Sequence, residues 1–286
     1  MFNTRDKMKA FAIRPIKSLG QNFLTDCGVV EQIVDAAELT EEDLVIEIGP
    51  GLGIMTEVMA ERAGFVVAVE IDKHLMEPLG VIAALHDNIA ILNKDILKVD
   101  IRREILEPYF TGRAFRGIKV VANLPYYITT PIIMNLLEMS LPEIRQMVFM
   151  VQKEVGQRMT ADPGGKEYGA LSVAVKYFSE SEIVFTVPPH CFIPQPAVDS
   201  CVVRLNVREE EPFYLKDRAY FFKVVKAAFG QRRKMLTNAL SNAPYLEVSR
   251  EQVLAALTAM GKDEKLRGEA LRAEEFGELS NRLRNN

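Results

Sequence analysis

Short apolar runs punctuate the first two-thirds of the chain, and amphipathic stretches separate them. The runs at 44–48, 65–69, 89–92, 118–122 and 146–151 are apolar over most of their length. A run that is apolar on both faces and bounded by helical segments predicts a strand covered on both sides. Strands alternating with helices in this way predict a mostly parallel sheet. The segment 171–178 reads as a further helix. Residues 183–187 and 201–207 read as two last strands that close the sheet as a hairpin-like pair with a long connection. The run 208–212, Arg-Glu-Glu-Glu-Pro, is acidic and ends in proline, which suits a domain boundary. Beyond it strand character stops. A helix is predicted over 220–240 from Phe221, Phe222, Val225 and Phe229, and another over 250–260 from Val253, Leu254 and Leu257. The tail 266–283 is charged and periodic. Two domains are expected: 1–207, beginning with a basic segment at 1–43, and an all-helical 208–286.

Composition narrows the class. The chain has 286 residues, 48% hydrophobic and 26% charged, enough to bury a full core. No apolar stretch approaches the roughly 18 residues of a membrane span. The first 17 residues are basic but lack the apolar centre of a secretory signal, so a cytoplasmic protein is expected. Cys27, Cys191 and Cys201 form no CxxC pair and are expected to be reduced thiols. His74, His86 and His190 share no ligand spacing with them, and no metal site is expected.

The net charge of -4 argues weakly against a polyanionic partner. Local charge differs. Arg5, Lys7, Lys9, Arg14 and Lys17 face only Asp6, and Arg232-Arg233-Lys234 forms a second basic cluster. Such clusters can hold phosphates, although charge alone reads more readily as a solvated face.

The run 118–122 leads straight into Asn123-Leu124-Pro125-Tyr126-Tyr127. A carboxamide, a proline and an aromatic at a strand end suit the methylation of a nucleobase amine. That amine is a poor nucleophile because its lone pair is delocalised into the ring. An Asn oxygen and a nearby backbone carbonyl can accept its two protons and localise the lone pair. A Tyr ring can stack on the base.

A glycine turn, Glu47-Ile48-Gly49-Pro50-Gly51-Leu52-Gly53, comes directly after the first predicted strand. Its glycines alternate, unlike the GxGxxG of dinucleotide folds, and Pro50 removes an amide that a pyrophosphate could use. A nucleoside with a short charged tail, S-adenosyl-L-methionine, fits better. Glu70 ends the second strand and can accept from both ribose hydroxyls, as an acid also does in nicotinamide enzymes. Asp95, past the third strand, can accept from the adenine amine, or serve as a turn residue or helix cap. Gly49, Glu70, Asp95 and Asn123 at successive strand ends are more specific together than singly.

With these motifs together, the chain closely resembles the ribosomal RNA adenine dimethyltransferases of the small subunit, the KsgA family. The likeness runs through Lys17 to Leu24, Glu47 to Gly53, Glu70-Ile71-Asp72, Asn123 to Tyr127, Phe192 to Ser200 and Ala228 to Lys234. It implies a class I methyltransferase: a Rossmann-like, seven-stranded, mostly parallel sheet with helices on both faces and a small helical C-terminal domain. It implies Asn22, Leu24, Gly49, Gly51, Glu70, Ile71, Asp95, Ile96 and Asn123 around the cofactor. It implies catalytic roles for Asn123, Leu124, Pro125 and Tyr126, with the Leu124 carbonyl beside the target amine. Phe192 is expected to stack on the second face of the base, and Arg232, Arg233 and Lys234 to bind RNA. The implied reaction puts two methyls on each of two adjacent adenosines in a loop near the 3′ end of 16S rRNA, during maturation of the small-subunit precursor. A monomer is expected.

Rival readings remain. One is a dimethyltransferase of large-subunit rRNA; another is a non-catalytic ribosome assembly factor. A DNA adenine methyltransferase would need a target-reading domain for which there is little room. A nicotinamide oxidoreductase rests on the glycine turn alone.

Overall fold

The structure is a computed structural model that describes residues 4–284. The outermost residues of both expected domains, 1–3 and 285–286, lie outside the described residues. The chain divides into two compact units, Met1–Gly156 with Ser181–Val207, and Gln157–Glu180 with Arg208–Asn286.

The described residues form nine strands: β1 (Phe23–Leu24), β2 (Asp43–Ile48), β3 (Phe65–Glu70), β4 (Ile89–Asn93), β5 (Gly117–Asn123), β6 (Ile144–Gln152), β7 (Ser179–Val187), β8 (Phe192–Ile193) and β9 (Ser200–Val207). Seven make one sheet in the order β4-β3-β2-β5-β6-β9-β7. Neighbours from β4 to β6 run parallel, and β9 runs antiparallel to β6. Every residue of β2 and β3 is buried, as their mostly apolar runs require, and the acids Asp43, Glu47 and Glu70 are buried with them. Chain order reverses at β2, between β3 and β5, and the carboxyl ends there open a crevice.

Helices α1 (Thr4–Ala10), α2 (Cys27–Ala36), α3 (Ile54–Ala60), α4 (Met76–Ala83) and α5 (Thr129–Met139) belong to this unit. The Asp26 carboxylate caps α2, accepting from the amides of Gly28 and Val29. Lys7 of α1 is buried; its Nζ donates to Glu57 Oε2 at 2.9 Å and to the Leu52 carbonyl at 3.3 Å. The basic N-terminal cluster therefore spends this cation inside the unit. No helix among the described residues is long and apolar enough to cross a membrane.

The second unit holds α7 (Ala170–Phe178), α8 (Arg218–Gly230), α9 (Leu236–Ser241), α10 (Arg250–Ala259) and α11 (Ala273–Leu283); α6 (Lys153–Thr160) leads into it. The unit divides differently from the boundary expected at 207, because 157–180 joins it. The reason is aromatic: Tyr177 packs its ring 5.3 Å from Phe213, 5.5 Å from Phe221 and 5.8 Å from Phe222. The single helix expected over 220–240 is two helices. Gly230 ends α8, and the Leu236 amide bonds to the Leu266 carbonyl at 2.9 Å instead of continuing a helical ladder.

Candidate active site

The glycine turn after β2 is left-handed at alternate residues: φ is +68° at Gly49, +59° at Gly51 and +72° at Gly53. A side chain at Gly53 would also put its Cβ 2.2 Å from Ile82. The backbone therefore calls for glycine at all three positions, and packing adds to this at Gly53. The Glu70 carboxylate braces this turn. Its Oε2 accepts from the Gly51 amide at 3.2 Å and its Oε1 from the Asp72 amide at 2.9 Å. Burial pushes the Glu70 carboxyl up, and those two amides oppose the shift.

One cavity gathers the strand ends. It is lined by all nine residues expected around a cofactor, from Asn22 to Asn123, and by Leu124, Pro125 and Tyr126. Asp95 takes the capping role and also faces the cavity. Its Oδ1 caps the short helix Ile96–Lys98 through the Leu97 amide, and the residue lines the cavity. Ile71, Ile96 and Leu24 set apolar side chains among these acids. Acids beside apolar walls suit a flat aromatic base carrying a polar sugar.

Asn123 is oriented by the N-terminal segment. Its Nδ2 donates to the Asn22 carbonyl at 3.0 Å, which assigns the amide and leaves Oδ1 as the free acceptor. The Leu124 amide bonds to the Met150 carbonyl at 3.1 Å; its own carbonyl accepts no hydrogen bond among the described residues. The Pro125 carbonyl accepts from the Ile128 amide at 3.2 Å and the Thr129 hydroxyl at 2.9 Å, closing the turn into α5. The Tyr126 hydroxyl lies 2.7 Å from Ser200 Oγ, and burial pushes its pKa up.

Phe192 departs from the stacking role expected of it. It is 1% exposed, belongs to the hydrophobic core and does not line the cavity. Pairing of β8 with β1, Leu24 opposite Phe192, turns the ring inward. The exposed ring at the rim is Tyr127, 58% exposed and cavity-lining. Its Cδ1 lies 3.0 Å from where a Cβ on Gly20 would stand.

Two further cavity residues lay outside the expected set. Gln21 bridges two segments: its Oε1 accepts from the Ile16 amide and its Nε2 donates to Asp72 Oδ2, both at 2.8 Å. Burial works to raise the Asp72 pKa, but hydrogen bonds from Gln21 and His74 outweigh it and hold the carboxylate low. Glu47 is fully buried. Thr56 donates to its Oε2 at 2.5 Å, and its Oε1 has no partner. Burial pushes its pKa up to about 8; the Thr56 hydroxyl opposes this and the Glu70 charge adds to it. Glu47 was visible in the glycine motif, Tyr127 as a second tyrosine beside Tyr126, and Gln21 beside Asn22.

Arg232, Arg233 and Lys234 lie in the second unit. Arg232 is engaged there: Nη2 donates to the Lys166 carbonyl at 2.7 Å and the Tyr168 carbonyl at 3.1 Å. Arg233 and Lys234 are exposed. Cys27 is exposed, Cys191 and Cys201 are buried, and all three are free thiols. Among the described residues no cluster of three metal-ligating side chains occurs.

A mostly parallel sheet with β9 antiparallel to β6, a left-handed glycine turn at its switch point and carboxylates at successive strand ends define an S-adenosyl-L-methionine-dependent methyltransferase. The profile of the ribosomal RNA adenine dimethylase family matches residues 14–283, and the chain belongs to that family. It is 50% identical over 281 residues to ribosomal RNA small subunit methyltransferase A of Geobacillus sp. (strain WCH70), covering 98% of this chain and 95% of that protein. It is 48% identical over 265 residues to the protein so named in Lachnoclostridium phytofermentans, covering 92% and 90%. Among solved structures, a dimethyladenosine transferase from Plasmodium falciparum shares the fold with a TM-score of 0.71 at 24% identity, covering 90% of this chain and 95% of that one. The 23S rRNA methyltransferase ErmE superposes with a TM-score of 0.67 at 27% identity, covering 92% and 100%. The chain is therefore an rRNA adenine dimethyltransferase, and its methyl donor is S-adenosyl-L-methionine.

Proposed function

We propose that this enzyme dimethylates the exocyclic amines of two adjacent adenosines in a loop near the 3′ end of 16S rRNA, acting on the small-subunit precursor. The relatives named as small-subunit enzymes, near half identical over almost the whole chain, support this target. The observation that carries the chemistry is the hydrogen bond from Asn123 Nδ2 to the Asn22 carbonyl. It leaves Asn123 Oδ1 free to accept a hydrogen bond from the substrate amine.

Gly49, Gly51, Glu70, Ile71, Asp95 and Ile96, closed over by Asn22 and Leu24, would hold S-adenosyl-L-methionine. The donor supplies a methyl on a positively charged sulfur, already activated for transfer. The work left to the chain is orientation and charge. Asn123 Oδ1 and the Leu124 carbonyl would each accept a hydrogen bond from one amine N–H, which localises the nitrogen lone pair; the proton that the methylated nitrogen then sheds leaves to water. Charge developing on that nitrogen meets two fixed acceptors that need no reorganisation. Pro125 and the bonds to its carbonyl hold both acceptors in register. A monomethylated amine keeps one proton, so one acceptor suffices to anchor it for the second round.

The target adenine must leave its stack, at a cost of a few kcal/mol. Stacking on an aromatic ring returns about 1–3 kcal/mol. Tyr126, half-buried and held at its hydroxyl by Ser200, supplies one ring. Tyr127 at the rim supplies the second, in place of Phe192. Arg233 and Lys234 offer charge for the RNA backbone. Transfer of labelled methyl groups to unmethylated small subunits, with the modified bases mapped, tests the proposal. Label on two adjacent adenosines supports it; label on large subunits alone would overturn it.

A further inference from the structure

Helix α8 carries no acidic residue. It buries Tyr220, Phe221, Val224, Val225, Ala227 and Ala228, and past its first residue it exposes Ala219, Lys223, Lys226 and Gly230. Those exposed positions advance by four, three and four, so they form one face. The face bears only lysines as charged groups, one turn apart, and leads into exposed Arg233 and Lys234. Among the described residues no ion pair engages any of these four cations. In a chain of net charge -4, where many cations of the second unit are paired, four unpaired ones within twelve residues stand out.

Arg232 sits within the same sequence cluster but behaves differently. Besides its two carbonyl partners, its Nη2 lies 3.5 Å from Glu269 Oε2. The loop it holds is stitched further. The Gly164 amide donates to the Glu269 carbonyl at 2.8 Å, and the Tyr168 hydroxyl donates to the Leu271 carbonyl at 3.0 Å. A guanidinium with three partners is a brace, and its charge is already met.

We propose that Lys223 and Lys226 on α8, continued by Arg233 and Lys234, form a track for RNA backbone phosphates, and that Arg232 is the positioning residue beneath it. Lysines at i and i+3 stand about 5–6 Å apart, a spacing that suits successive backbone phosphates. The inference rests on the reading that the chain binds small-subunit rRNA.

Binding of wild type, K223E/K226E and R232K to protein-free small-subunit rRNA and to intact small subunits, across a salt series, tests it. The double variant should bind both about tenfold more weakly at moderate salt, and its log–log salt slope should shrink by about two. Its S-adenosyl-L-methionine affinity should not change. R232K should keep the wild-type slope while amide exchange across 164–168 quickens. Wild type that binds neither the free rRNA nor intact small subunits removes the parent reading and this inference together. Wild-type binding with an unchanged double variant removes the inference alone. Weakening on subunits but not on free rRNA would assign the track to a protein partner and overturn it. A slope lowered by about one in R232K, with the loop still protected, would overturn the brace.

Discussion

Asn123, at the end of β5, gives its side-chain N–H to the backbone carbonyl of Asn22, 101 residues earlier in the chain. On the proposed function, the bond would couple chemistry to cofactor closure, because the segment expected to close over the donor also orients the Asn123 amide. Asn123→Ala should lower kcat by about 10²–10³, the usual loss for one preorganised polar partner of a developing charge. Binding to small subunits should persist. Single-turnover methyl transfer alongside subunit pull-down measures both; near-normal turnover in the variant would sink the assignment.

Gln21 pins the same segment from its other side, through Ile16 and Asp72. Gln21→Ala frees the segment without touching the donor pocket's strand ends. Donor affinity should fall about tenfold, the worth of a hydrogen bond to a charged carboxylate. Gln21→Glu should fall further, because a second carboxylate then faces Asp72. Calorimetric titration with S-adenosyl-L-methionine decides it, and a dissociation constant within twofold of wild type in both variants would refute it.

The strand ends were legible because a strand buried on both faces is an unbroken apolar run, and the residues just past such a run must sit at the sheet edge. Gly49, Glu70, Asp95 and Asn123 fall together on that ground alone, and they share one cavity. Other features depend on contacts that no local pattern carries. β1 and β8 are two residues long and have no period to read. Their pairing turns Phe192 into the core, against the expectation drawn from its proline-rich surroundings. The break between α8 and α9 comes from bonds to Leu266 and Lys166, which are remote in sequence. Segment 157–180 joins the second unit through rings of Phe213, Phe221 and Phe222 that lie beyond the sheet's last strand.

Glu47 makes stability depend on pH. Its carboxyl shifts from an ordinary value of 4.5 to about 8 on folding. Between those values the folded protein holds a proton that the unfolded chain has released, so stability falls as pH rises. The contribution is fully present below about 4.5 and lost as pH rises through 8. Glu47→Gln keeps the shape and the Thr56 hydrogen bond without the ionisation. Its melting temperature should gain on wild type steadily from about pH 5 to about pH 8.5. Thermal scans across that range that hold a constant difference would show that Glu47 is not the titrating group.

Tyr127 stands exposed at the cavity rim while Phe192 lies buried, so the loss of one ring should be felt at the RNA and not at the donor. Tyr127→Ala should raise KM for small subunits about tenfold, the low end of what one stacked base is worth. Tyr127→Phe should restore it, since the stacking face is unchanged. Donor affinity should be equal in all three proteins. With 2-aminopurine at the target position of a substrate RNA, wild type and Tyr127→Phe should quench its emission, and Tyr127→Ala should not. Equal quenching by the alanine variant would return the stacking role to a ring that has yet to move, and Phe192→Ala would then be the variant that loses it.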